Sequence, residues 1–327
     1  MTRWIAALVV VLAATSACAT TSHAQAGGAY PTRAIKLVAP FPAGGTTDLV
    51  ARVLAHRMTQ LLGQPAIVEN KAGASGSIGV QTVVLAPPDG YTALIAPSTA
   101  VVINPHVTRV PYDVERDLRP VGLIMKAETL IVAHPSKNLG SLADVIGYAK
   151  SNPGKLTFGS FGIGSSAHLV MAHLQAVAGI EMLHVPYKGA APAELALMAG
   201  EIDILVVNSI TAFPNIEAGR MIPIALLSSA QSTLLPKLAR ASDQLPDFVF
   251  DTWVALYAPA KTSNEIVGRL SGAMVEALND PALIADFRAK GIEPAPGSPE
   301  ELVAYQQNES RRWARATASA KAKDRLD

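Results

Sequence analysis

From residue 35 onward the apolar positions alternate between two spacings, and that alternation sets the fold class. Residues 35–41 form a nearly continuous apolar run, which predicts a buried strand. Pro42-Ala43-Gly44-Gly45 interrupts it as a turn. Residues 46–62 then carry Leu49, Val50, Val53, Leu54, Met58, Leu61 and Leu62 at three-and-four spacing, which predicts an amphipathic helix. Thr46 or Thr47 is placed to cap that helix, Asp48 sits in its first turn where negative charge suits the dipole, and Gly63 closes it. The rhythm continues with strands over 66–68, 92–96, 130–133, 156–159, 182–185 and 202–207. Helices are expected over 76–85, 142–151, 167–178 and 191–198. Strands separated by helices of this length imply an α/β protein with parallel sheets covered on both faces.

The start of the chain changes the expected compartment. Arg3 is followed by an uncharged apolar run over residues 4–14, then by small residues with two fitting cleavage points, after Ala24 or after Ala26. That run is about half the roughly twenty residues needed to span a bilayer. Residues 1–26 therefore read as a signal peptide, and the mature chain is expected in the periplasm. Cys18, after Ser16-Ala17, offers lipid anchoring as a rival reading, but Thr15 lacks the bulky aliphatic that such signals carry.

Cys18 is the only cysteine of the 327 residues, so a chain cut after Ala24 or Ala26 has no disulfide, thiolate metal ligand or thiol nucleophile. The formal charge of +1 (27 − 26) falls to zero (26 − 26) once Arg3 is removed. With 16 % charged residues and no basic stretch before Arg311-Arg312, the composition argues against a nucleic-acid partner.

In open α/β sheets ligands bind beyond the carboxyl ends of strands, where helix N-termini present free N–H groups. Three turns have the composition for that. The first supplies Phe41, Ala43, Gly44, Gly45 and Thr46, the second Ser160, Phe161, Gly164, Ser165 and His168, and the third Lys188, Gly189 and Ala190. Glycines let backbone approach a ligand, and hydroxyls with first-turn amides suit an anion. Each turn taken singly is equally an ordinary βα connection. Rival motifs fail on spacing. Gly44-Gly45 lacks the G-x-G-x-x-G pattern, and Phe158-Gly159-Ser160-Phe161-Gly162 has Phe where a hydrolase elbow wants Gly. His168 and His173 are five apart, not four, so they do not form a helical metal pair. No nucleophile, base and orienter can be assembled, and neither cofactor nor metal is expected.

These turns sit among longer runs that carry a family resemblance. They include Ile35 to Asp48, Val68-Glu69-Asn70-Lys71 with Gly73 to Gly79, Pro88-Asp89-Gly90-Tyr91-Thr92, Ile103-Asn104-Pro105, Pro111-Tyr112-Asp113, Gly162 to Leu169 and His184 to Pro192. Together they resemble the substrate-binding component of tripartite tricarboxylate transporters, the Bug (TctC) family of periplasmic receptors. The resemblance covers nearly all of the mature chain. It implies the type II periplasmic-binding-protein fold, two Rossmann-like lobes joined by crossing strands around a central cleft. It assigns residues 27–125 plus 253–327 to one lobe and 126–252 to the other, with Trp253 by the return crossing. It also implies a monomer that holds a small carboxylate through amides and hydroxyls and delivers it to integral membrane subunits. Ser98, Thr99 and Asn208 join the expected ligand contacts on this ground.

Three positions depart from the family pattern. Val207 stands where relatives often carry an acid before the asparagine, segment 235–245 lacks the usual Pro-Thr-Val run, and Phe161 replaces a small residue. The sharpest alternatives are a periplasmic sensor that presents its ligand to a membrane kinase, and an exported α/β hydrolase.

Overall fold

The computed structural model describes residues 30–232, 234–289 and 292–322. The expected signal peptide, with Cys18 and both cleavage points, lies outside the described residues.

Strands β1 (Ile35–Ala39), β2 (Ala66–Asn70), β3 (Thr92–Pro97), β4 (Leu118–Ala127), β10 (Thr252–Pro259) and β11 (Glu293–Pro294) form one sheet, ordered β11-β4-β10-β3-β1-β2. Strands β5 (Thr129–Ala133), β6 (Thr157–Ser160), β7 (Leu183–Pro186), β8 (Ile204–Asn208) and β9 (Ile222–Leu226) form a second, ordered β7-β6-β8-β5-β9. Parallel pairing holds where helices connect strands, as in β1 with β2 and β3, and β6 with β7 and β8. The sheets are mixed, however, which corrects the all-parallel expectation. β10 runs antiparallel to β3 and β4, and β5 antiparallel to β8 and β9. The cause is that strands passing between sheets enter each one against its βα direction.

The helices of eight residues or more are α1 (Thr46–Leu62), α2 (Ser77–Val84), α3 (Leu142–Ser151), α4 (Ser166–Ala178), α5 (Ala190–Met198), α6 (Ser209–Glu217), α7 (Asn264–Leu278), α8 (Pro281–Ala289) and α9 (Pro299–Lys321). The apolar stripe of α1 buries Val50, Leu54 and Met58 in one cluster with Leu37, Ile95 and Leu256. Gly63 ends that helix in the left-handed region at φ 68°, where a side chain would be strained. Its N-cap is Gly45, with no side chain in the capping role, so neither Thr46 nor Thr47 serves as the expected cap.

The chain passes from β4 to β5 through Glu128 alone and returns over residues 227–251 to β10. At the junction Thr252 pairs with Ala127, and Thr129 pairs with Asn208. The Thr252 hydroxyl donates to Asn208 Oδ1 at 3.0 Å and lies 3.3 Å from Thr129 Oγ1. Trp253, second in β10 and fully buried, lies at this crossing. Segment 235–245 folds back along β9, with Arg240 bridging to Leu226 and holding Asp243.

Helix α9 lies against both halves. It packs on β4 of the first sheet and on α4 beside the second. Ser310 Oγ is 3.0 Å from His106 Nε2, and Ser319 Oγ is 3.0 Å from His173 Nδ1. Between these anchors Trp313 sits edge-on to Phe250, at 5.0 Å between ring centres, within an apolar cluster that also holds Phe158 and Tyr257. Removing a buried indole costs about 3–5 kcal/mol. Trp313→Ala is therefore expected to lower chemical-denaturation stability by about that amount in one cooperative transition. Unchanged stability, or loss of one lobe alone, would contradict a shared core.

Candidate functional site

Helices α1, α4 and α5 start just beyond the carboxyl ends of β1, β6 and β7; the starts of α4 and α5, with Phe41 from the turn before α1, line a cavity of about 480 Å³ between the sheets. That size lies within the usual range for small-molecule pockets. Of the expected contacts, Phe41, Ser98, Thr99, Phe161, Gly189, Ala190 and Asn208 line it.

The other expected contacts are placed differently, and internal hydrogen bonds explain most of the difference. In the first turn, Asp48 Oδ2 accepts from the Gly44 N–H at 2.9 Å and from Arg52 Nε at 2.9 Å, while Oδ1 accepts from Asn70 Nδ2 at 3.0 Å. The Gly44 amide is therefore spent on Asp48. Ala43, Gly44 and Gly45 form an exposed turn, and Thr46, half-buried, starts the helix. First-turn amides have no intrahelical partner, so Thr46 and Thr47 are the donors this helix start has to offer. Bonded to Arg52 and to the Gly44 N–H, the buried Asp48 carboxyl is held down to about 2, and it keeps its charge.

The second turn repeats the pattern. His168 is wholly buried, its Nδ1 accepts from the Gly164 N–H at 3.1 Å, and its ring stacks on His184 at 4.2 Å. Ser165 caps α4 through the His168 N–H. Ser160 is also wholly buried, with Oγ 2.6 Å from His184 Nε2 and accepting from the Gly162 N–H at 3.2 Å. Ser160, Gly164, Ser165 and His168 thus build the turn and do not line the cavity, where Ser166 stands instead. Lys188 is exposed and does not line it either. The Ser160–His184 contact has the spacing of a nucleophile and base, an arrangement not foreseen from sequence. That hydroxyl has no accessible surface and is engaged within its own turn.

Residues unforeseen as contacts come from the crossings and from α9. Thr129 and Thr252 supply hydroxyls, Val206 and Val207 an apolar floor, and Phe250 and Trp313 the wall toward α9. Asp251 also lines the cavity, its Oδ2 accepting from Tyr305 at 3.2 Å and from Ser229 at 3.3 Å. Since Asn208 Oδ1 is taken by Thr252, the group Asn208 has left to offer is its amide donor. No Lys, Arg or His is among the lining residues. An anion here is served by neutral donors and helix N-termini. Among the described residues no group of His, Cys, Asp and Glu is arranged to hold a metal ion.

Two α/β halves joined by a double crossing, with a donor-lined cavity between them, define a two-lobed solute-binding protein. The profile of the tripartite tricarboxylate transporter family receptor (TctC) matches residues 50–320, and the chain belongs to this family. The Bordetella pertussis protein BugT is 34 % identical over 317 residues, covering 96 % of each chain. An R. palustris protein solved with adipate is 32 % identical at TM-score 0.77, covering 89 % of this chain and 98 % of that one. MatC from Rhodopseudomonas palustris, solved with bound malate, is 28 % identical at TM-score 0.74, covering 88 % and 100 %.

The Asp48 network has a pH signature. Its folded pKa lies below the ordinary carboxylate value, so its stabilisation is full above about pH 4 and is lost as pH falls toward about 2. Asp48→Asn is expected to flatten the acid-unfolding profile between pH 4 and 2. A variant that loses stability there as steeply as the parent would show that the carboxylate is not held this way.

Proposed function

We propose that this chain is an exported periplasmic receptor that closes around a small carboxylate and delivers it to the membrane subunits of a tripartite transporter. It acts as a monomer and performs no catalysis. The observation that carries the reading is the cavity itself, which the starts of α4 and α5 line together with hydroxyls and an amide, without one lining cation. Such a site suits a carboxylate, because oriented amides and hydroxyls satisfy its lone pairs. The relatives solved with adipate and malate support the ligand class. The lobes are taken as residues 27–125 with 253–327, and 126–252. The ligand contacts are taken as the cavity-lining residues together with the amides of Thr46 and Thr47.

Ligand that binds only the folded state stabilises it by about 2.7 kcal/mol at a hundredfold excess over Kd, which is several degrees in melting temperature. After unfolding and refolding to strip retained ligand, a panel of mono-, di- and tricarboxylates should include acids that raise the melting temperature. Their amides should not. Gly45 has φ −82°, and a Cβ there would meet nothing nearer than Pro42 O at 3.7 Å, so Gly45→Val should fold normally. It should nevertheless lose most of the ligand-induced shift, since its side chain intrudes beside the Thr46 amide. Shifts from sugars or amino acids alone, turnover of simple esters, or full affinity in Gly45→Val would each count against the reading.

A further inference from the structure

We infer that Phe161 makes this receptor selective for carboxylates with a flat apolar body, arylcarboxylates above all, over aliphatic di- and tricarboxylates. The inference rests on the carboxylate-receptor reading and names the substrate class of that same cavity.

Phe41 follows β1 in one half and Phe161 follows β6 in the other; both line the cavity and both are only half-buried. Each ring therefore enters from a different lobe, on the turn that leads into α1 or α4. Each helix start lies five positions after its ring, Thr46 after Phe41 and Ser166 after Phe161. At α4 the helix start and the aromatic wall are thus neighbours in the cavity lining, as Ser166 and Phe161. Deeper in, Ile103 and Val206 continue the apolar surface.

The chemistry follows from what these walls can and cannot satisfy. A carboxylate at the helix starts finds donors, whereas a second carboxylate turned onto the phenyl rings loses its hydration and finds no donor on them. The π-faces carry the negative end of the ring quadrupole, so they disfavour an anion while favouring the edge or offset face of another ring. The absence of any lining Lys, Arg or His leaves no cation to compensate a second or third charge. A single anionic head on an aromatic body satisfies both regions at once.

Stripped and refolded protein would be titrated calorimetrically with benzoate, phenylacetate, adipate and malate. The aryl acids should bind at least about tenfold tighter than either dicarboxylate, the order expected from burying one ring face and stacking it. Phe161→Ala should weaken the aryl acids by about tenfold while leaving adipate and malate within about threefold, or tightening them. Phe161→Leu keeps an apolar side chain in place and should fall between, which separates stacking from simple loss of packing. Adipate or malate binding tighter than every aryl acid would overturn the inference while leaving the receptor intact. So would an aryl-to-dicarboxylate ratio unmoved in Phe161→Ala. Binding of no carboxylate at all would overturn the receptor reading, and the inference with it.

Discussion

The structure depends on one hydrogen-bonded junction. β4 and β10 pair antiparallel up to Ala127 and Thr252, and two residues later the chain pairs Thr129 with Asn208 in the other sheet. The ladder is handed from sheet to sheet with only Glu128 between, and even Glu128 keeps its carbonyl engaged by the Ser209 N–H. Backbone groups buried without partners are costly, so the two sheets cannot be pulled apart here without losing bonds on both sides. The side chains reinforce the same point, because Thr129, Thr252 and Asn208 are linked through their polar atoms. The junction residues Thr129, Asn208 and Thr252 are therefore also cavity-lining residues.

The treatment of charge around the cavity follows a consistent logic. A carboxylate one helical turn from an anion site would ordinarily repel the anion. Asp48 escapes that conflict because its charge is matched by Arg52 and divided among two further donors, Gly44 N–H and Asn70 Nδ2. Its function is to hold the turn that presents the next amides. His168 does the same in the other half by accepting from Gly164. In both turns the glycine amide is consumed by a side chain four residues ahead, and the helix start beyond it keeps its first-turn amides.

Much of this was legible in the sequence because periodicity reports burial. The three-and-four stripe and Gly63 located α1 at its observed bounds, and the glycine-rich turns located the three helix starts. The antiparallel crossings were less legible. β10 is apolar on both faces and reads alike in either direction, so its register with β4 follows only from the tertiary arrangement. The same holds for Thr129, Thr252 and Trp313 as cavity residues. For the turn amides a signal was present but unused: Asp48 stands four residues after Gly44 and four before Arg52, and His168 four after Gly164. Which N–H each side chain accepts is a matter of geometry that spacing alone does not decide.

The seat of α9 has a mechanical consequence. Its anchors, Ser310 to His106 and Ser319 to His173, are nine residues apart, which at 1.5 Å per residue makes a rigid rod of about 13 Å. One end is pinned to each lobe, and an α-helix does not stretch. While both pins hold, the edge beside α9 keeps its spacing, and the lobes can part only by swinging about that edge. Any separation of the halves that kept both hydrogen bonds would pivot along this edge, with the widest travel at the margin farthest from the C-terminal helix.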